Sequence, residues 1–344
     1  MSTPRARPTI RDVAALSGTS LKSVSRVVNG ESGVSPELAA RVQSAIDQLG
    51  YRHNLGASSL RRSGQRTSSI GVLLQDVSNP FSGALHRSIE LLARERGVAV
   101  LAASVDGDPA RERLLIGELA KRRVDGIIVM PSENDHSYLL DERRVGTQFV
   151  FVDRVPMFLD ADSVVADNSG GSSVGVSHML AGGHQRIAYM GDSLSISTAS
   201  ERYSGYVAAL TAAGVALDER LIVSELRDEH SSREAFLALL DLADPPTAVF
   251  TAQNIITIGV LHALRARNQR SRIAHVGFDD VPLGDLLDPG VSVVAQDPVL
   301  IGTTAAARLF ARIDGDRSPT AHVVTPVRLV ERGSGELRFV ESSV

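Results

Sequence analysis

From Ser69 onward the chain alternates short apolar runs with amphipathic stretches of helical length, and this alternation restricts the fold to parallel α/β sheets. Strands with near-continuous apolar sequence are buried on both faces, and parallel neighbours need a crossover helix between them. The first series of runs is Ser69–Leu74, 98–103, 126–130 and Gln148–Val152, with helices expected near 81–96, 109–123 and 136–144. A second series follows at 163–166, 186–190, 221–225, Ala248–Thr251, 273–277 and 291–295. Two such series predict two doubly wound lobes. A helix near 299–314 and a strand near 322–330 remain, so the chain is expected to cross back between the lobes.

The residues before this body differ in charge and in pattern. Residues 1–66 hold ten Lys and Arg against four Asp and Glu, a balance of +6, while the rest of the chain carries −10. A basic head on an acidic body suits a polyanion partner for the head alone. Thr9-Ile10-Arg11-Asp12 reads as a capping box, Ile10, Val13, Ala14 and Leu16 follow as an apolar stripe, and Gly18 is a natural stop. A second helix starts at Thr19 or Ser20 and turns Val24, Val27 and Val28 inward. Ser35-Pro36-Glu37 opens a third, whose buried stripe is Leu38, Ala39, Val42, Ala45, Ile46 and Leu49, with Gly50 at its end.

Two helices joined across Ser17-Gly18-Thr19 must cross steeply, which is helix-turn-helix geometry. The outward face of the second helix carries Leu21, Lys22, Ser25, Arg26 and Asn29. Lys22 and Arg26 stand four apart, project from one side of the helix, and are of the type that reaches guanine edges in the major groove. Thr9 and Ser20, at the two helix starts, complete the candidate DNA contacts of the head. A solvated helix face is the plainer reading of such residues; the tight turn, the basic surroundings and the next segment favour DNA. In that segment Asn54 can cap a short helix on which Ala57 and Leu60 share a face, followed by a flexible 63–69 stretch. Such a helix is too short to persist without a partner.

Thr9 to Asn29, then Tyr51, Asn54, Ala57, Leu60 and Arg61, resemble the headpiece and hinge of the lactose-repressor/galactose-repressor family. The resemblance implies that two hinge helices of a dimer fold together in the minor groove, with Leu60 as the wedge that kinks the duplex. It also implies that Leu21, Lys22 and Arg26 read bases. His53 stands where the family usually has proline, and Ser58 replaces a frequent Arg or Gln.

The body resembles the same family's effector domain, related to periplasmic sugar-binding proteins, as far as about Arg332. The markers are Asn79-Pro80-Phe81, Val124-Asp125-Gly126-Ile127, Asp153-Arg154, Gly183-His184, Arg202 with Gly205-Tyr206, and Gly277-Phe278-Asp279. The implied organisation is a helix-turn-helix headpiece over 1–52, a hinge helix and linker over 53–68, and an effector and dimerisation domain over 69–344. Within that domain, lobe 1 is expected at about 69–160 and 297–325, and lobe 2 at about 161–296 and 326–344.

Ligands of doubly wound sheets bind beyond the carboxyl ends of the strands. Asp76, Asn79 and Phe81 fall there after the first strand, and Asp153 and Arg154 after the fourth. Ser197, Thr198 and Arg202 lie on a loop and helix start after Met190. Phe250, Gln253 and Asn254 belong to the 248–251 strand and its end, while Asp279 and Gln296 close the last two strands. Asp, Asn, Gln and Arg beside an aromatic face suit a sugar or polyol; as a plainer reading, many are caps and turn-formers. The family usually has aspartate at Asn254, and its purine-type members carry more basic character near Ser195-Ile196-Ser197, so a purine effector is disfavoured.

Other chemistry fits poorly. Gly171-Ser172-Ser173-Val174-Gly175 matches the nucleophile-elbow pattern, but Asp167-Asn168-Ser169 separates it from its strand. Phosphate-binding glycine loops are missing, the nine histidines are dispersed, and there is no cysteine, so no cofactor or metal is expected. No apolar run spans a bilayer and no signal-peptide core follows the basic N-terminus, which points to a cytoplasmic protein rather than a periplasmic solute receptor. The expected whole is a transcriptional regulator acting as a homodimer on a near-palindromic operator, under control of a small carbohydrate effector.

Overall fold

The computed structural model describes residues 8–28, 33–51 and 66–340. The chain divides into two compact units, Met1–Thr67 and Ser68–Val344. In the first, α1 (Ile10–Ser17), α2 (Leu21–Val28) and α3 (Pro36–Leu49) enclose a small core of Val13, Ala14, Val24, Val42 and Ala45. Leu16, expected on the α1 stripe, is 49% exposed. A helical face running through 10, 13 and 14 returns at 17, not 16, so Ser17 takes the buried place and its hydroxyl donates to the Val13 carbonyl at 2.6 Å. Gly18 adopts φ 61°, the left-handed conformation that lets α1 end and α2 begin within a few residues. Asn29, His53, Asn54, Ala57, Ser58 and Leu60 lie outside the described residues.

The second unit contains two six-stranded sheets. The first has the order β11-β5-β4-β3-β1-β2, built from β1 (Ser69–Leu74), β2 (Ala99–Ser104), β3 (Gly126–Val129), β4 (Gln148–Val152), β5 (Asp162–Ala166) and β11 (His322–Thr325), all paired in parallel. Residues alternate faces along each strand. Val150 and Val152 join one core with α4 (Pro80–Glu95) and α11 (Pro298–Ile313), while Phe149 and Phe151 join the other with α5 (Pro109–Lys121).

The second sheet has the order β12-β10-β9-β8-β6-β7. Its strands are β6 (Ile187–Met190), β7 (Ile222–Val223), β8 (Ala248–Thr251), β9 (Ala274–Phe278), β10 (Ser292–Ala295) and β12 (Arg328–Val330), of which only β12 runs antiparallel to its neighbour. Helices α7 (Asn168–Ala181) and α8 (Ser197–Ala212) cover one face, and α9 (Glu229–Leu240) and α10 (Asn254–Ala266) the other. The short α6 (Leu140–Arg144) completes the first lobe.

The run at 163–166, read above as opening the second series, belongs with Asp162 to the first sheet, between β4 and β11. An apolar run has the same appearance in either lobe; its placement follows from pairing and from Asp162. That carboxylate, 1% exposed, accepts from Arg308 and Arg312 of α11 and from the Ala321 amide ahead of β11. The single strand expected near 322–330 is two strands, one in each sheet, so the chain changes lobes after β5, after β10 and after β11.

Candidate functional site

The carboxyl ends of both sheets border one cleft. Polar residues follow the strands into it: Gln75 after β1, Asp153 after β4, Asp192 after β6, Gln253 after β8, Asp279 after β9 and Gln296 after β10. Helix starts supply the rest. Asn79 is the N-cap of α4 and Phe81 lies in its first turn, Thr198 and Arg202 come from α8, and Asn254 opens α10. A doubly wound fold places the loops beyond the strands and the positive ends of its helices together here.

Each lobe brings one guanidinium–carboxylate pair. Arg202 is 6% exposed; its Nε donates to Asn168 Oδ1 and its Nη1 to the Ala252 carbonyl, each at 2.8 Å. Its guanidinium lies over the Phe278 ring, 3.9 Å from the centroid, and 3.6 Å from Asp279 Oδ2. Burial pushes the Asp279 carboxyl above the usual range, against the opposing pull of Arg202 and of Gln296, whose Nε2 donates to it at 2.6 Å. In the first lobe Arg154 Nε stands 3.5 Å from Asp153 Oδ2, and its Nη1 donates to the Pro131 carbonyl at 2.8 Å. Gln75 donates to the same carbonyl, fixing the loop after β3. The arginines are thus charge-compensated within the protein, and the cleft offers amides, carboxylates and guanidinium N–H groups beside the Phe81 ring. Such a surface recognises hydroxyl groups, which both donate and accept.

Of the residues expected from the sequence, Asn79, Phe81, Asp153, Arg154, Thr198, Arg202, Gln253, Asn254, Asp279 and Gln296 line this cleft. Three do not. Asp76 is exposed and accepts from the Ser78 amide and hydroxyl, a turn role. Ser197 is exposed at the first position of α8. Phe250 is fully buried mid-strand among Tyr189, Val176 and Val276, because its place in the β8 alternation aims it at the α7–α8 layer. Sequence reasoning missed Gln75, Met130 and Asp192 in the lining, although the first polar residue after each apolar run was a usable signal for Gln75. It also missed Asn168, 2% exposed, which orients Arg202 from behind and carries no local signature.

Ser172, the centre of the elbow-like pattern, is buried inside α7. Among the described residues no group of His, Asp or Glu could hold a metal ion, and no helix is long and apolar enough to cross a membrane.

In the head, Lys22 is exposed and Leu21 is 47% exposed on α2, whereas Ser25 and Arg26 are partly buried. Ser20 Oγ accepts from the Ser23 amide at 3.1 Å and so begins α2, while Thr9 is held by Asp12, whose Oδ2 accepts from the Thr9 amide at 2.7 Å.

Residues 9–54 match the model of the bacterial regulatory proteins of the lacI family, and residues 176–335 match that of the periplasmic binding protein-like domain. The HTH-type transcriptional regulator DegA of Bacillus subtilis is 30% identical over 95% of this chain and 98% of its own. A solved complex of the transcriptional regulator CelR with cellobiose is 30% identical over 96% of this chain and all of its own, with a TM-score of 0.71. The lac repressor dimer bound to operator and the anti-inducer ONPF superposes with a TM-score of 0.83 at 25% identity, over 96% of this chain and 99% of that one.

Proposed function

The chain belongs to the lacI family of bacterial regulatory proteins, as a DNA-binding transcriptional regulator and not an enzyme, and from that premise we propose that it is a cytoplasmic homodimeric repressor whose grip on a near-palindromic operator is set by a sugar or sugar derivative. The observation that carries the effector reading is the cleft itself. It pairs each arginine with a carboxylate and surrounds them with amides and one aromatic ring, as hydroxyl recognition requires. The cellobiose complex of CelR supports the reading by likeness.

In this scheme Leu21, Lys22, Ser25, Arg26 and Asn29 face the major groove, with Thr9 and Ser20 at the helix starts, and the segment carrying Asn54, Ala57 and Leu60 enters the minor groove. Residues 1–52 act as the headpiece, 53–68 as the hinge and 69–344 as the sensor. Effector binding alters operator affinity only as far as the effector discriminates between the two states of the lobes.

A thermal-shift screen of sugars and polyols tests this, because a ligand that binds only the folded protein raises its melting temperature. A stabilising sugar that also changes operator affinity is expected. If no sugar or polyol stabilises the protein, or if the one that does leaves operator affinity unchanged, the effector assignment is wrong.

A further inference from the structure

We propose that Asn79 and Asn254 form a lobe-to-lobe clasp that holds the cleft closed. Asn79 belongs to the first lobe and Asn254 to the second, and their side-chain amides bond reciprocally across the cleft. Asn254 Nδ2 donates to Asn79 Oδ1 at 3.0 Å, and Asn79 Nδ2 donates to Asn254 Oδ1 at 3.3 Å.

The orientation of the pair is determined by the helix behind it. Asn79 Oδ1 also accepts from the Phe81 amide at 3.0 Å as the N-cap of α4, so oxygen and nitrogen of this amide cannot exchange places without undoing the cap. With Asn79 fixed, only one orientation of Asn254 gives two bonds. Both lone pairs of Asn79 Oδ1 are then in use, and Asn254 is 4% exposed, so water has little access to replace either bond. The two amides, which by position line the cleft, are therefore engaged with each other and act on lobe closure.

Asn254→Asp isolates the clasp because it keeps the size and removes the donor. Its carboxylate would place an acceptor against Asn79 Oδ1, which cannot turn away. The chain has no cysteine, so Val145→Cys and Leu217→Cys, at exposed positions of the two lobes, accept nitroxide labels cleanly. Pulsed dipolar spectroscopy on ligand-free protein, diluted with unlabelled chains, then reads the lobe separation.

A short, narrow distance distribution is expected with Asn254 present, and a longer, broader one with Asn254→Asp at neutral pH. As pH falls and the aspartyl carboxyl regains its proton and its donor, the distribution returns toward the first, by more than that of the unsubstituted protein changes over the same range. Asn254→Ser, too short to span the gap, is longer at every pH, and it carries the test if the aspartate variant does not fold. Unchanged distributions in both variants overturn the clasp, as does an Asn254→Asp change that acid fails to reverse. No effector is present in this measurement, so its outcome is independent of the sugar reading.

Discussion

Asp153 and Asp279 occupy matching places in the two lobes: each is the first residue beyond its strand, and each has φ 70°. Each amide donates to a neighbouring strand, Asp153 to the Val164 carbonyl at 3.1 Å and Asp279 to that of Val294 at 2.9 Å. A left-handed backbone costs a residue with a Cβ about 1 kcal/mol, and of the described non-glycine residues that adopt it Asp153 and Asp279 line the cleft.

Asp153→Gly should therefore separate stability from response. Glycine adopts the same backbone without the penalty, so urea unfolding should show a gain on the order of 0.5 kcal/mol. The carboxylate beside Arg154 is lost, and effector affinity should fall roughly ten-fold, the worth of one charge-assisted hydrogen bond. A variant that is less stable and responds normally would place Asp153 in the scaffold only.

Arg202→Ala should cost both properties at once. The substitution leaves Asp279, 8% exposed, without its cation, and strips partners from Asn168 and the Ala252 carbonyl. Breaking a buried pair from one side destabilises by about 3 kcal/mol, which a denaturant midpoint will report. Operator binding without effector should persist, and its response to effector should vanish. A normal response would remove Arg202 from the binding surface.

The contrast between these residues and Phe250 shows what can be read from sequence. Asp153, Asp279 and Gln296 were legible because each is the first polar residue after an apolar run, and the fold sends every such position to the same edge. Gln75 obeys the same rule and was passed over for Asp76, one residue further into the turn. Phe250 sits before its strand ends, where alternation and not proximity to the edge decides direction. The lobe that receives β5 was not legible from apolarity, which is the same in either lobe; it is decided by pairing with β4, the strand just before it, and with the distant β11. In the head, one helical step separates the exposed Leu16 from the buried Ser17, and apolarity alone chose the wrong one.

Lys22 and Arg26 should differ from ordinary phosphate contacts in how their loss is felt. Both lie on α2, and Gly33 approaches Arg26 so closely that a Cβ there would meet Arg26 Nη2 at 3.3 Å. If they read base edges, Lys22→Ala and Arg26→Ala each relax preference at particular base pairs by about 1–3 kcal/mol in a binding assay across operator variants. A uniform loss over all sequences, with a shallower salt dependence, would make them phosphate contacts instead.

Asp162 should govern the acid stability of the first lobe. Burial pushes its carboxyl up, but hydrogen bonds from Arg312 and Arg308 outweigh that and hold it well below its ordinary value of 3.8. A group whose folded pKa is depressed contributes its full stability above the unfolded value, and that contribution disappears as pH falls through the folded one. Stability should therefore decline as pH drops below about 4, where the unfolded chain begins to take up the proton that the folded lobe resists. Asp162→Asn removes this dependence at its source: the variant should be about 3 kcal/mol less stable at neutral pH, because two guanidinium groups lose their carboxylate, yet flatter with pH in the acid range. Asp162 also accepts from the Ala321 amide at 2.8 Å, so the loss should be felt first at β11, on the edge of the sheet. Hydrogen exchange of 322–325 should quicken in the variant before that of β3 or β4; equal protection of all three strands would mean that the carboxylate does not anchor that edge.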